Sequence, residues 1–268
     1  AVVARKKAPR LATGAQCSAP YECGFLAHCQ SQEPQAEHHV RWLPRRSQAL
    51  KAHIEEHGIS ELRDVPDNLL NPTQQRVKAA TLSGQAFFDQ PATAQALAAH
   101  KLPGYFIDFE TIQFGVPLWK GTRPYQQLPF QFSVHRLGRT GRATHQAFLD
   151  LSGGNPSLAF AQSLVAACGE RGPVFVYNAA FETTRIRELA ERHPRLAIAL
   201  RAINDRVVDL LPIARQHYYH PSQQGSWSIK AVLPALCPEL HYDALDGVQD
   251  GGAAQQAYLE AITPATSA

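Results

Sequence analysis

The chain has 268 residues, is 44% hydrophobic and 18% charged, and carries a formal net charge of +3 at pH 7. That composition is ordinary for a globular protein with room for one large domain or two modest ones. No apolar run approaches the roughly 18–20 residues of a membrane span, and the opening AVVARKKAPR is too short and too polar for a secretory signal.

The reading is therefore a soluble, cytoplasmic protein with no membrane partner. The sequence does not begin with Met and contains none, which reads as a piece of something longer. The mild basic bias permits a nucleic-acid partner without arguing for one. Basic clusters at Arg5, Lys6, Lys7 and Arg10, and at Arg41, Arg45 and Arg46, read first as solvated surface.

Residues 1–40 form a Cys-rich segment with little periodicity. Cys17, Cys23 and Cys29 are spaced C-x5-C-x5-C in CSAPYECGFLAHC. In a reducing compartment such a group points to a metal rather than a disulfide. The spacing is not the C-x2-C pairing of common zinc sites. Zinc with His28, His38 or His39 as fourth ligand stays open, as does no metal at all. Cys168 and Cys237 lie in apolar surroundings and read as core residues.

Residues 41–99 read as a small helical region. In SQALKAHIEEHGI, Leu50 and Ile54 recur at helical spacing, Gly58 suits a helix C-terminus, and Ile59 follows. After a turn at Pro66–Asp67, NPTQQRVKAATLSG offers a second helix with Asn71 as N-cap and Pro72 first in the helix.

Residues 100–268 read as the main domain. FIDFE, PFQFSVHRL and THQAFLDL are strands of an antiparallel meander. PSLAFAQSLVAAC is a helix, PVFVYN a short apolar strand, and AAFETTRIRELAERH a helix. RLAIALRAI, VVDLLPIARQHYY, SIKAVLPAL and GAAQQAYLEAI all read as helical. Three antiparallel strands followed by a strand alternating with helices define an α/β mixed sheet flanked by helices.

The acids fall at particular places on that frame. Asp108 and Glu110 share one face of an apolar strand at i and i+2. Two close carboxylates repel each other and each is costly to desolvate; a cation between them relieves both penalties. A strand end fraying into solvent is the plainer account. Glu182 opens a helix after the strand VFVYN, where an acid also serves as a simple dipole partner. Asp250 precedes GGAAQQAY, where Asp also serves as an N-cap.

Together, D-x-E-T at the end of a strand (Asp108, Glu110, Thr111), N-x-x-F-E after a central strand (Asn178 to Glu182) and an Asp opening the last helix (Asp250) resemble the DEDD-type, DnaQ-like 3′–5′ exonucleases. Their fold is RNase H-like, with three antiparallel strands and further parallel ones. The resemblance covers about residues 103–262, and Asp209 in VVDLLPIAR resembles a further segment of that superfamily. GTRPYQQLPFQFSVH and GSWSIKAVLP resemble segments of an uncharacterised bacterial branch of it.

The resemblance implies hydrolysis of phosphodiester bonds in DNA or RNA with two Mg2+ or Mn2+ ions held by Asp108, Glu110, Glu182 and Asp250. It also implies nucleic-acid contacts from the Thr111 backbone and from Lys120, Arg123, Tyr125, Asn178 and Lys230, with Trp119 a further stacking residue. An ordinary exposed loop is the plainer account of residues 119–125. Glu182 stands where the family has Asp. The His or Tyr that usually precedes the last Asp is missing, because Leu245 and Asp246 occupy those positions. Asp246 is the alternative third-motif acid, and a non-catalytic nucleic-acid-binding or interaction module of the same fold is the alternative function. The cysteine group resembles that of RecB-like iron–sulfur nucleases, which implies a 4Fe–4S cluster with a fourth Cys supplied from elsewhere.

Overall fold

The structure, a computed structural model, describes residues 13–17, 21–32, 36–240 and 251–263. The chain divides into two compact units, Ala1–Ser83 and Gly84–Ala268.

In the first unit, α1 (Leu26–Ser31) is followed by α2 (Gln48–Glu56) and α3 (Pro72–Ser83). The Ser47 hydroxyl accepts the Leu50 N–H at the start of α2, and Gly58 ends the turn beyond it at φ +61. Asn71 and Gln74 form a reciprocal cap on α3: the Asn71 side chain accepts the Gln74 N–H, and the Gln74 side chain accepts the Asn71 N–H. Leu50 and Ile54 of α2 pack with Val40, Leu43, Leu62, Val65 and Leu70, so this unit has its own core.

The helical region expected over 41–99 ends earlier than its sequence suggests. Residues 84–99 belong to the second unit. Their short strand β1 (Phe87–Phe88) pairs antiparallel with Tyr218–Tyr219, and α4 (Gln90–Ala98) follows it.

The second unit is built on β2 (Gly104–Ile112), β3 (Leu128–Leu137), β4 (Ala143–Leu149), β5 (Val174–Val176) and β6 (Val207–Asp209), in the order β4-β3-β2-β5-β6. β2, β3 and β4 are antiparallel, whereas β5 and β6 run parallel to β2. This is the mixed α/β sheet of an RNase H-like arrangement. Tyr105, Ile107 and Phe109 alternate onto one face, where α5 (Ser157–Cys168), α6 (Ala180–Arg192) and α7 (Ala197–Asn204) bury Phe160, Leu164, Ile186, Leu189, Leu200 and Ile203. On the other face Ile112, Leu128 and Phe130 pack against Tyr258 of α10 (Gly251–Ile262).

One expectation is corrected. VVDLLPIARQHYY is not continuously helical: Val207–Asp209 is strand β6, α8 covers Leu210–His217, and Tyr218–Tyr219 is strand β7. Val207–Asp209 satisfies its backbone by parallel pairing with Val174–Val176, a partner that a local sequence pattern does not reveal. α9 spans Ile229–Leu236 as expected. No helix among the described residues is long and apolar enough to cross a membrane.

Candidate active site

β2 carries the first acids because its pleat sends Ile107 and Phe109 into the core and Asp108 and Glu110 to the opposite face. Just beyond them the register breaks. Glu110 pairs with Gln131 and Thr111 with Pro129, so Phe130 is the extra residue of a bulge. Phe130 stacks on Tyr258 at 3.9 Å between ring centroids, which ties α10 to the sheet beside the acids.

Asp108 is open to solvent, yet desolvation by the surrounding protein raises its carboxyl above the usual range, partly offset by the Phe109 N–H that it accepts. Glu110 is half-buried and lies at the N-terminus of α10, where a Cβ on Gly251 would stand 3.4 Å from Glu110 Oε2. The partial positive charge of a helix N-terminus favours a carboxylate there.

Glu182 is placed by the junction of β5 and α6. The chain leaves β5 and turns at Asn178, whose φ of +71 is a left-handed value that Asn tolerates better than most residues. The Asp209 carboxylate, at the end of the neighbouring β6, accepts the Asn178 N–H at 2.9 Å and the Ala179 N–H at 3.1 Å. The same carboxylate accepts the Leu211 N–H at 2.9 Å and so caps α8. One acid thus fixes both the turn and the start of the next helix.

The result is a buried Glu182 carboxyl, 4% exposed, whose Oε2 has no hydrogen-bond partner. Burial pushes its pKa up to about 7, and the charges of Asp108 and Asp209 push in the same direction. Glu182 and Asp108 therefore lie close enough to feel each other. Glu110 joins Asp108 in lining a cleft of about 420 Å³ whose walls are otherwise largely apolar: Phe130, Leu149, Leu151, Ala254, Ala257 and Tyr258.

Asp250, and with it Asp246, lies outside the described residues. Among the described residues no group of three or more His, Cys, Asp or Glu side chains is gathered so as to hold a metal ion. Cys17, Cys23 and Cys29 are free thiols and form no such group. His39, a candidate zinc ligand, has both ring nitrogens engaged with Arg41.

The remaining candidate contacts fare differently. The Thr111 side chain is buried, while Lys120, Arg123, Tyr125, Asn178 and Lys230 are exposed. Arg123 reaches Glu188 at 3.6 Å. Trp119 is not a free stacking surface, because it donates its indole N–H to the Gly153 carbonyl and meets Phe114 edge-on. The GSWSIKAVLP segment has a structural role: buried Trp227 donates to the Tyr218 carbonyl, and its own carbonyl accepts the Tyr177 hydroxyl next to Asn178. The cap on the Asn178 turn was not readable in the local sequence. Its only signal was the likeness of VVDLLPIAR to a family segment.

A family profile described as a domain of unknown function (DUF2779) matches residues 105–228. The matched stretch contains Asp108, Glu110, Glu182, Asp209 and Trp227 and stops short of Asp250. The comparisons with curated proteins and with solved structures gave no match.

Proposed function

We propose that this chain is a metal-dependent 3′–5′ exonuclease that hydrolyses phosphodiester bonds in DNA or RNA. The supporting observation is Glu182: a buried carboxyl with an unpaired oxygen, near enough to Asp108 for that negative charge to raise its pKa further. A buried acid without a partner costs free energy, and a second acid beside it adds to that cost. A divalent cation between the two carboxyls would remove both penalties.

By the sequence motif, Asp108, Glu110, Glu182 and Asp250 would hold Mg2+ or Mn2+. Such ions, when bound, supply a water ionised near neutral pH and charge relief at the phosphoryl and leaving oxygens. The chain itself supplies position and a dry wall. Asp209 holds Glu182 in place through the Asn178 turn, and the apolar side of the cleft excludes water beside the phosphate and offers a surface to a base or sugar.

The test is incubation with 5′-labelled single-stranded DNA and RNA plus Mn2+. The expected outcome is metal-dependent shortening from the 3′ end that EDTA abolishes, with Asp108→Ala and Glu182→Ala each slower by about 10²–10³-fold, the scale of losing one preorganised electrostatic group. No shortening, or equal rates in the variants, overturns the reading. Strand binding without shortening would move the chain to the non-catalytic binding module.

A further inference from the structure

We propose that the β3–β4 hairpin is a second nucleic-acid contact, which grips the backbone of a single strand whose end lies at Asp108. The position of that end rests on the nuclease reading; the grip itself does not.

The sequence supplies the first observation. Residues 111–149 contain no Asp or Glu at all, in a chain with 23 acidic residues, yet they carry Arg136, Arg139 and Arg142 on one hairpin. The structure gathers these three arginines with Thr140 and Thr144 around a concave surface of about 710 Å³ that also touches Pro103. All three arginines are exposed, and among the described residues no carboxylate pairs with any of them. Arg139 donates Nε–H to the Leu102 carbonyl at 3.1 Å, a bond that does not use its two terminal nitrogens. Planar guanidiniums beside hydroxyls suit phosphodiester oxygens.

The pairing register supplies the second observation. Asp108 pairs with Ser133, and Phe106 pairs with His135, which pairs in turn with His145. Directly opposed residues share a face, so both histidines lie on the Asp108 side of the sheet. They are exposed and stacked, with ring centroids 4.3 Å apart and planes 23° apart. The Ser133 hydroxyl and His145 Nε2 stand 3.0 Å apart and hold that ring in place. α10 packs at the Ile112 and Phe130 end of this face, away from the histidines.

At about 3.3 Å per residue the His pair lies about 7 Å along the strand from Asp108, and the hairpin end of the sheet about 13 Å. Arg136 and Thr144 oppose Tyr105 and so lie on the other face of the sheet: bases would stack on the imidazoles of the Asp108 face, and the backbone would turn round the hairpin end to meet the guanidiniums.

The experiment is fluorescence anisotropy of the full chain with 5′-fluorescein oligothymidylate of about 20 nucleotides, longer than a typical single-strand site. It is run in EDTA so that binding is read without hydrolysis. The Arg139→Glu/Arg142→Glu variant should bind at least about tenfold more weakly, and its log–log salt slope should fall by about 1.4, two contacts at about 0.7 each. The Arg139→Lys/Arg142→Lys variant should keep the slope, and His135→Ala/His145→Ala should weaken binding while leaving it unchanged. Circular dichroism and the thermal midpoint establish that each variant is folded. No strand binding by the wild type, or equal affinity and slope in the charge-reversed protein, overturns the proposal. Hairpin-dependent binding together with failure of the Mn2+ assay sustains the grip and removes the nuclease reading.

Discussion

Glu182 shows how one side chain couples stability to function. Its pKa in the folded chain is raised from 4.5 to about 7, chiefly by burial. Between those values the folded state binds the proton more tightly than the unfolded state does, so stability falls as pH rises through this window. The largest possible cost is about 3 kcal/mol, at about 1.4 kcal/mol per unit. In a chelator the wild type should therefore lose thermal stability from about pH 4.5 to about 7. Glu182→Gln should lose less and exceed the wild type at the upper end. Adding Mn2+ should reverse that order, because only the carboxylate gains from the cation. Parallel melting curves for the two proteins across this range would contradict the account. Thiols offer a simpler contrast. Cys168 is fully buried and its thiol is pushed up to about 12, while Cys23 and Cys29 are exposed. A colourless-to-coloured thiol reagent should modify Cys23 and Cys29 in the native chain and Cys168 only after unfolding.

At the level of elements, the turn between β5 and α6 is held by its neighbour strand rather than by its own sequence. Three backbone N–H groups point at the Asp209 carboxylate. Asp209→Ala would strand them and should lower stability by about 2–3 kcal/mol, the combined cost of a lost cap and unmade charge-assisted hydrogen bonds. Asp209→Asn keeps one acceptor and should cost less. If denaturant unfolding gave the same midpoint for Asp209→Ala as for wild type, the clamp would carry no weight. This element also marks what a sequence reading can reach. β3 was legible from alternation along its ten residues, β2 from an apolar run ending in acids, and β4 from the RTGRA turn that precedes it. α6 was legible from its apolar spacing. β6 was missed because its three residues, Val207–Asp209, are too short to show a period and run straight into α8. The site divides in the same way. Asp108 and Glu110 are neighbours on one strand, so their shared face follows from the pleat. The approach of Glu182 to Asp108 depends on parallel pairing of β2 with β5 and on the left-handed turn at Asn178, both non-local facts.

Across the whole molecule, cores and candidate chemistry are distributed unevenly. The first unit buries Val40, Leu43, Leu50, Ile54, Leu62, Val65 and Leu70 among themselves. The second buries a separate and larger set on its sheet, and every described residue of the proposed acid set and of the arginine hairpin belongs to it. Folding cooperativity follows shared buried surface, so a boundary between two cores is a boundary between folding units. A chain beginning at Gly84 keeps both partners of the Phe87–Phe88 and Tyr218–Tyr219 ribbon, which a cut near residue 100 would separate. The expected outcome is a single cooperative thermal transition for residues 84–268, with Mn2+-dependent shortening of a labelled strand at a rate within about threefold of the full chain. A piece starting at residue 100 should melt at lower temperature, because Tyr218 and Tyr219 lose their strand partner and Phe88 its edge contact with Tyr218. Calorimetry of the two pieces separates the possibilities. Equal midpoints would place the folding boundary after the ribbon, and a non-cooperative melt of the longer piece would mean that the first unit is needed to fold the second.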